Sequence, residues 1–127
     1  MLVITPQIKP KEPTQIISEI QEKVLYHIKD MFQDELTRYT SILSVLVGNI
    51  GAEVAEKESA YRKLFCKTAK DSPNLSAAKV EILSKASDEY LEWNKAKAVE
   101  ISVLETIKAL KNRAISLNSE RGITNNY

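Results

Sequence analysis

The sequence contains few residues that could perform catalysis. Its only histidine is His27 and its only cysteine is Cys66. A nucleophilic cysteine needs a basic partner, a zinc site needs several cysteine or histidine ligands, and a di-iron bundle needs two Glu-x-x-His motifs. One residue of each type cannot supply any of these sets. The sequence therefore predicts a protein that is not an enzyme and that uses no metal ion or other cofactor.

The sequence also contains no Gly-rich phosphate-binding loop, and its carboxylate pairs do not indicate a catalytic site. The three glycines, at positions 48, 51 and 122, are too scattered to form a Gly-rich phosphate loop. Carboxylate pairs such as Asp30 with Asp34 have spacings that occur by chance on helix surfaces. Neither pattern changes the prediction of a non-enzymatic protein.

Lysines near the middle of the chain form the most informative pattern. Lys63, Lys67 and Lys70 share one face of a helix, and no acidic residue lies four positions before any of them. Tyr61 and Phe65 are interleaved with these lysines. Cations that follow phosphates, combined with flat rings that accept bases, are typical of proteins that bind single-stranded nucleic acid. The candidate DNA-binding residues are Arg62, Lys63, Lys67 and Lys70.

The same residues have structural explanations that stay open at this point. Cations near a helix C-terminus complement the helix dipole, and Asp88 or Glu89 could pair with Lys63 across two helices. Tyr61 and Phe65 lie on an apolar stripe, where core packing is the commoner role. The dipole also explains a second basic group near the C-terminus: Lys108, Lys111, Arg113 and Arg121.

A long helical segment must position the lysines. Apolar residues recur at helical spacing from Ile17 to Phe65, with Thr14 as the candidate N-cap. The pattern predicts helix over about 14–70, with breaks considered near 33–37 and 48–51. Gly48 and Gly51 weaken the helix without disturbing its period, so a kink or a close-packing spot is favoured there over a turn.

A second helix follows a clear stop. Pro73 ends the first helix, Ser76 caps the second, and no proline or glycine interrupts the chain from 75 to 121. The pattern predicts one continuous helix over about 76–118, with Gly122 as its end and 122–127 as a flexible tail. At the other terminus, the prolines within residues 1–13 predict an extended arm.

The lengths of these helices constrain the assembly. A helix over 76–118 would be roughly 64 Å long, whereas a compact domain of this size has a radius of gyration of about 14 Å. The sequence therefore predicts an all-α protein: a long antiparallel helical hairpin with an additional N-terminal helix, which forms homo-oligomers through helix faces. The residues expected at the oligomer interface are Ile101, Leu104, Ile107 and Leu110.

Composition agrees with a single helical domain. The chain has 127 residues, a net charge of +1 and an apolar fraction of 43%. A near-neutral chain must build any anion site from local clusters of charge. The lone cysteine favours a reducing compartment, so a cytoplasmic protein is expected, and no apolar run is long enough to predict a membrane span or a secretion signal.

Four sequence stretches resemble the phage recombination mediators of the UvsY type. They are AYRKLF at 60–65, LSAAK at 75–79, YLEW at 90–93 and LETIKALKNRAI at 104–115. The resemblance covers 36–119, about two-thirds of the chain.

The resemblance implies a specific role. Members of this family are helical, non-enzymatic, ring-forming homo-oligomers that bind single-stranded DNA and remodel its complex with the single-strand DNA-binding protein. They then help to load the recombinase. The family's basic DNA-contacting motif matches Arg62 and Lys63 here. By this resemblance the chain is a recombination mediator of the host-cell cytoplasm. The alternative is a helical scaffolding or adaptor protein of a phage or bacterial assembly that binds no nucleic acid.

Overall fold

A computed structural model describes residues 11–125, with side chains described up to residue 120. The helices are α1 (Pro13–His27), α2 (Gln33–Asp71), α3 (Ala77–Lys85) and α4 (Asp88–Asn125), and a 3-10 turn (Ile28–Asp30) follows α1. Every regular element in this part of the chain is helical, which confirms the predicted all-α class. Most of the predicted arm, residues 1–10, and the last two residues of the predicted tail lie outside the described residues.

The start of α1 differs from the prediction by one residue. The helix begins at Pro13, and no side chain caps it, so Thr14 is a helical residue and not the N-cap. Proline suits the first helical position because its fixed φ is already helical and its missing N–H would have had no helical partner there. The carbonyl of Glu12 accepts from the Gln15 N–H at 3.0 Å and begins the hydrogen-bond ladder.

The break between α1 and α2 lies at Met31 and Phe32, just before the predicted region 33–37. Both residues have extended backbone, and Met31 is buried in the core while Phe32 is exposed. The break thus adds the Met31 side chain to the core cluster that also contains Ile17, Ile20 and Leu36. By contrast α2 runs through Gly48 and Gly51 without a break, so the turn considered at 48–51 is absent.

The predicted continuous helix over 76–118 is wrong in two respects. The chain forms two helices separated by Ala86 and Ser87, and α4 continues through Gly122 to Asn125. The Ser87 hydroxyl accepts from the Tyr90 N–H at 3.2 Å, so it caps α4 in the way that a serine caps a helix start. The predicted cap at Ser76 is confirmed, because its hydroxyl accepts from the Lys79 N–H at 3.3 Å.

Helices α2 and α4 pack antiparallel as a hairpin-like pair. The start of α2 lies beside the last third of α4, and Tyr61 near its end lies beside Trp93 near the start of α4. At 39 and 38 residues, these helices are each nearly 60 Å long. Side chains with no exposed surface mark their contact: Leu36, Leu43, Val103 and Leu110.

Helix α1 covers one flank of this pair. The side-chain amide of Gln21 donates to the Ser102 hydroxyl at 2.7 Å, and Ile17 and Ile20 are buried in the shared core. Beyond the end of α1, Arg113 Nη2 donates to the Lys29 carbonyl at 3.2 Å. No helix in the described part of the chain is long and apolar enough to cross a membrane.

The four predicted interface residues are split between the core and the surface. Ile107 is 8% exposed and Leu110 is fully buried within the chain itself, whereas Ile101 and Leu104 are 60% and 47% exposed. In this fold Ile107 and Leu110 therefore stabilise the contact between α2 and α4 and present no free surface to another copy. The apolar arc of α4 is wide, and the position of α1 decides which part of it stays exposed, so the interface between copies stays a prediction.

Candidate nucleic-acid interface

The four predicted DNA-binding residues lie together on the last third of α2. Arg62, Lys63, Lys67 and Lys70 are all exposed. They line an open groove of about 620 Å³ along the outer surface of that helix. The other residues lining this groove are Ala55, Glu58, Ser59, Cys66 and Asp71. We call this surface the basic face of α2.

The charges on the basic face are not equally available. Arg62 donates to Glu58 Oε1 from Nε at 3.0 Å and from Nη2 at 2.7 Å, so its charge is already paired. Within the described residues, Lys63, Lys67 and Lys70 have no carboxylate within 4.0 Å. The cross-helix pairing of Lys63 with Asp88 or Glu89 is therefore absent. The three lysines are the cations that a phosphate could neutralise.

The helix dipole explains only part of this arrangement. The dipole stabilises cations within the last turn of a helix, and on α2 that turn contains Lys70 alone among the basic residues. Lys63 lies two turns before the helix end. Its exposure without a partner is therefore not accounted for by the dipole.

Of the two interleaved aromatic residues, Tyr61 is a core residue and Phe65 is half-buried beside it. Tyr61 is only 9% exposed, and its ring stacks on Trp93 with centroids 5.3 Å apart and planes 25° apart. The ring centroid of Tyr61 also lies 5.1 Å from that of Tyr90 and 6.4 Å from that of Phe65. The Trp93 ring also packs edge-on with Tyr90, at 6.1 Å between centroids, and Lys97 Nζ lies 3.8 Å from the indole centroid. The structural alternative for Tyr61 is thus confirmed.

This aromatic cluster (Tyr61, Phe65, Tyr90 and Trp93) positions the basic face. It joins the end of α2 to the start of α4, and aromatic contacts of this kind add about 0.5–1.5 kcal/mol per pair beyond area burial. Because Tyr61 is fixed in the cluster, the neighbouring Lys63 must point away from α4. The sequence shows that each ring lies on a helix, but it does not show that rings of α2 and α4 meet. That contact depends on the register of the two helices, which the loop at Pro73 helps to set.

The second basic group does not form a comparable surface. Arg113 is engaged by the Lys29 carbonyl and lies 3.8 Å from Glu120, and the Arg121 side chain is outside the described part of the chain. Lys108 and Lys111 are exposed. Because α4 extends to Asn125, these residues are well before its last turn, so the dipole explanation offered for them is wrong.

The structure brings no catalytic or metal-binding set together in its described part. His27 and Cys66 are both exposed, on α1 and α2 respectively. Among the described residues no group of three or more histidine, cysteine, aspartate or glutamate side chains could hold a metal ion.

Comparison with known proteins gives no match: no protein-family model, no curated protein and no solved structure matches the chain. The resemblance to phage recombination mediators thus stays a prediction from the four sequence stretches.

Proposed function

We propose that this protein is a non-enzymatic, homo-oligomeric mediator that binds single-stranded DNA through the basic face of α2. The observation that supports the proposal is the exposure of Lys63, Lys67 and Lys70 on one helix face without ion-pair partners. Three such ammonium groups attract a phosphate backbone, and binding would release its counterions.

One protomer alone would bind weakly. From Lys63 to Lys70 the helix rises by about 10 Å, which is the length of roughly three stacked nucleotides at about 3.4 Å each. Glu58 and Asp71 in the same groove reduce its positive charge further. Several copies that present this face together would bind one strand tightly by avidity.

The mediator role extends this binding by the sequence resemblance. A mediator must capture the strand from a single-strand DNA-binding protein and then release it to a recombinase. A chain with a net charge of +1 suits capture and release because each protomer holds the strand weakly. The proposed partners are therefore single-stranded DNA, the single-strand DNA-binding protein and the recombinase.

Fluorescence anisotropy of a labelled oligo(dT) at several salt concentrations tests the binding. The wild-type affinity should fall steeply with salt. Lys63→Ala plus Lys67→Ala should lower the logarithmic salt slope by about 1.4 for each protomer in contact with the strand, since each phosphate contact on a single strand contributes about 0.7.

The matched control is Lys108→Ala plus Lys111→Ala, which removes the same charge from exposed positions near the other end of the hairpin. It should bind like the wild type. Absent binding at low salt, or equal losses in the two double variants, would remove the proposal for the basic face.

A second function is favoured by a different observation. Ile82 and Leu83 of α3 are 69% and 54% exposed, close to the loop at the hairpin tip. Large apolar side chains on a surface suit a protein partner, as expected of a helical scaffolding or adaptor protein. If immobilised protein recovers a structural partner and anisotropy shows no oligo(dT) binding, this second function replaces the first.

A further inference from the structure

A cleft between α1 and α2, at the other end of α2 from the basic face, contains an unusual tyrosine. Tyr39 is 5% exposed, so its ring is held in the core while its hydroxyl faces an open cleft of about 380 Å³. Basic residues from both helices and from the chain before α1 line the cleft: Lys11, Lys23 and Arg38. Glu19 is its only acidic lining residue among those described.

Two cations converge on the tyrosine hydroxyl. Lys23 Nζ donates to Tyr39 Oη at 2.9 Å, and Arg38 Nη2 donates to the same oxygen at 3.4 Å. Both groups also lie over the ring, 5.3 and 5.2 Å from its centroid. The hydrogen bond from Lys23, assisted by the one from Arg38, lowers the pKa of Tyr39 below its usual value.

The carboxylate in the cleft forms its direct ion pair with a different cation. Glu19 is bound to Lys11, whose Nζ lies 2.8 and 3.0 Å from its two oxygens. Lys23 and Arg38 have no carboxylate within 4.0 Å in the described part of the chain. Two like charges therefore share one neutral oxygen, an arrangement that an anion in the cleft would stabilise.

The tyrosine also has a donor to offer. Its oxygen accepts two hydrogen bonds, and its own proton has no acceptor among the residues described. Ammonium, guanidinium and phenol donors thus lie together in one cleft, where the one carboxylate among the described lining residues, Glu19, is hydrogen-bonded to Lys11. Arginine matches two oxygens of an oxyanion at once, while lysine acts as a point charge.

We propose that this cleft binds a phosphate group, with Lys23, Arg38 and Tyr39 as its direct ligands. The group can be a free phosphate or a phosphate of a nucleic-acid strand, because both present the same oxygens. The site is separate from the basic face of α2, since Arg38 and Lys63 are 25 positions apart on one helix, or nearly 40 Å.

Nuclear magnetic resonance of the full chain with ring-labelled tyrosine tests the site. Inorganic phosphate is titrated against sodium chloride of equal ionic strength, and the Tyr39 signal is identified by its loss in Tyr39→Phe. A saturable shift of the Tyr39 signal with phosphate, but not with chloride, is expected. Lys23→Gln and Arg38→Gln should each weaken phosphate binding by about tenfold or more, since each removes a charge-assisted hydrogen bond to the phosphate.

The matched control is Lys29→Gln, which removes an exposed cation from the 3-10 turn next to α1 and should leave the phosphate affinity unchanged. A Tyr39 signal that does not shift, or that shifts with equal affinity in all three charge variants, would overturn the proposal. Circular dichroism of each variant establishes that the helices are retained.

A second titration with oligo(dT) lacking terminal phosphates identifies the source of the phosphate. If the strand shifts the Tyr39 signal, the site binds strand phosphates; if only inorganic phosphate does, the site binds free phosphate. Both results support a phosphate site. The first titration contains no nucleic acid, so its failure leaves the proposal for the basic face intact, and failure of oligo(dT) binding leaves the phosphate site intact.

Discussion

Two buried tyrosines of α2 show how far neighbours decide the role of a residue. Tyr39 and Tyr61 are 5% and 9% exposed. Tyr61 contacts other rings from α2 and α4, so its phenol is part of the packing between helices. Tyr39 contacts two cations, one of them from α1, so its hydroxyl is polarised. The sequence placed both on the apolar stripe, but the cationic neighbour Lys23 lies 16 positions away and depends on how α1 folds back.

The two hydrogen bonds that Tyr39 accepts predict how its hydroxyl ionises. Cationic donors favour the phenolate, so Tyr39 should ionise below pH 10.0, the ordinary value for tyrosine. Lys23→Gln removes the largest cause of the lowered pKa, so the pKa should rise. A pH titration of the tyrosine ring resonances measures both. A Tyr39 pKa that is the same in wild type and Lys23→Gln would contradict the hydrogen bond as its cause.

The helices themselves were predictable where residue types leave little choice. Pro73 ended α2 and Ser76 began α3 as the sequence indicated, since proline cannot continue a helix and serine caps one. The break at Ala86 and Ser87 was missed because both residue types are common inside helices. The available signal was Ser87 followed by Asp88 and Glu89, a cap with acidic residues in the first turn, and it is weak without knowledge of tertiary contacts.

Helix α2 contains two glycines at positions where a helix would be more stable with alanine. Among the described residues, a methyl group at Gly48 would meet no atom within 4 Å, and one at Gly51 would lie 3.6 Å from Glu100 Oε2, which is ordinary contact. Nothing in this part of the chain requires glycine at either position. Gly48→Ala should therefore raise the free energy of unfolding by about 0.5–1 kcal/mol, because alanine favours the helix and restricts the unfolded chain.

Urea unfolding followed by circular dichroism measures this change. Gly51→Ala is the companion variant, with a gain of the same sign. A lower free energy of unfolding in Gly48→Ala would contradict the prediction. Such a loss would mean that a neighbour outside the described residues excludes a methyl group there, since no atom of the described residues lies within 4 Å of the position.

In the described part of the molecule, a pair of long helices is covered by the rest of the chain on one side only. Helix α1 covers one flank only, by its contacts with Ser102 and Thr106 of α4 and with the first half of α2. Helix α4 consequently keeps apolar side chains on its surface: Leu91, Val99, Ile101, Leu104 and Ile115. The paired helices were predictable from their apolar periods. Which apolar residues stay outside was not, because that depends on where α1 lies.

The exposed apolar residues of α4 predict that the chain associates with further copies of itself. Ile101 and Leu104 lie one turn apart on the free side of α4, and burying them against a second copy would remove apolar surface from water at about 25 cal/mol per Å². The wild type should have a mass in solution of at least twice the 14.3 kDa of one chain. Ile101→Lys plus Leu104→Lys should reduce it to the single-chain mass without loss of helix content.

Light scattering coupled to size-exclusion chromatography measures the mass, and the control is Ile82→Lys plus Leu83→Lys, which changes exposed apolar residues on α3 and should keep the wild-type mass. If the proposed avidity operates, the monomeric variant should also lose most of its affinity for oligo(dT), although its added lysines favour binding to a phosphate backbone. A wild type that is already monomeric would contradict the assembly. In that case the three lysines of one basic face would have to bind a strand alone.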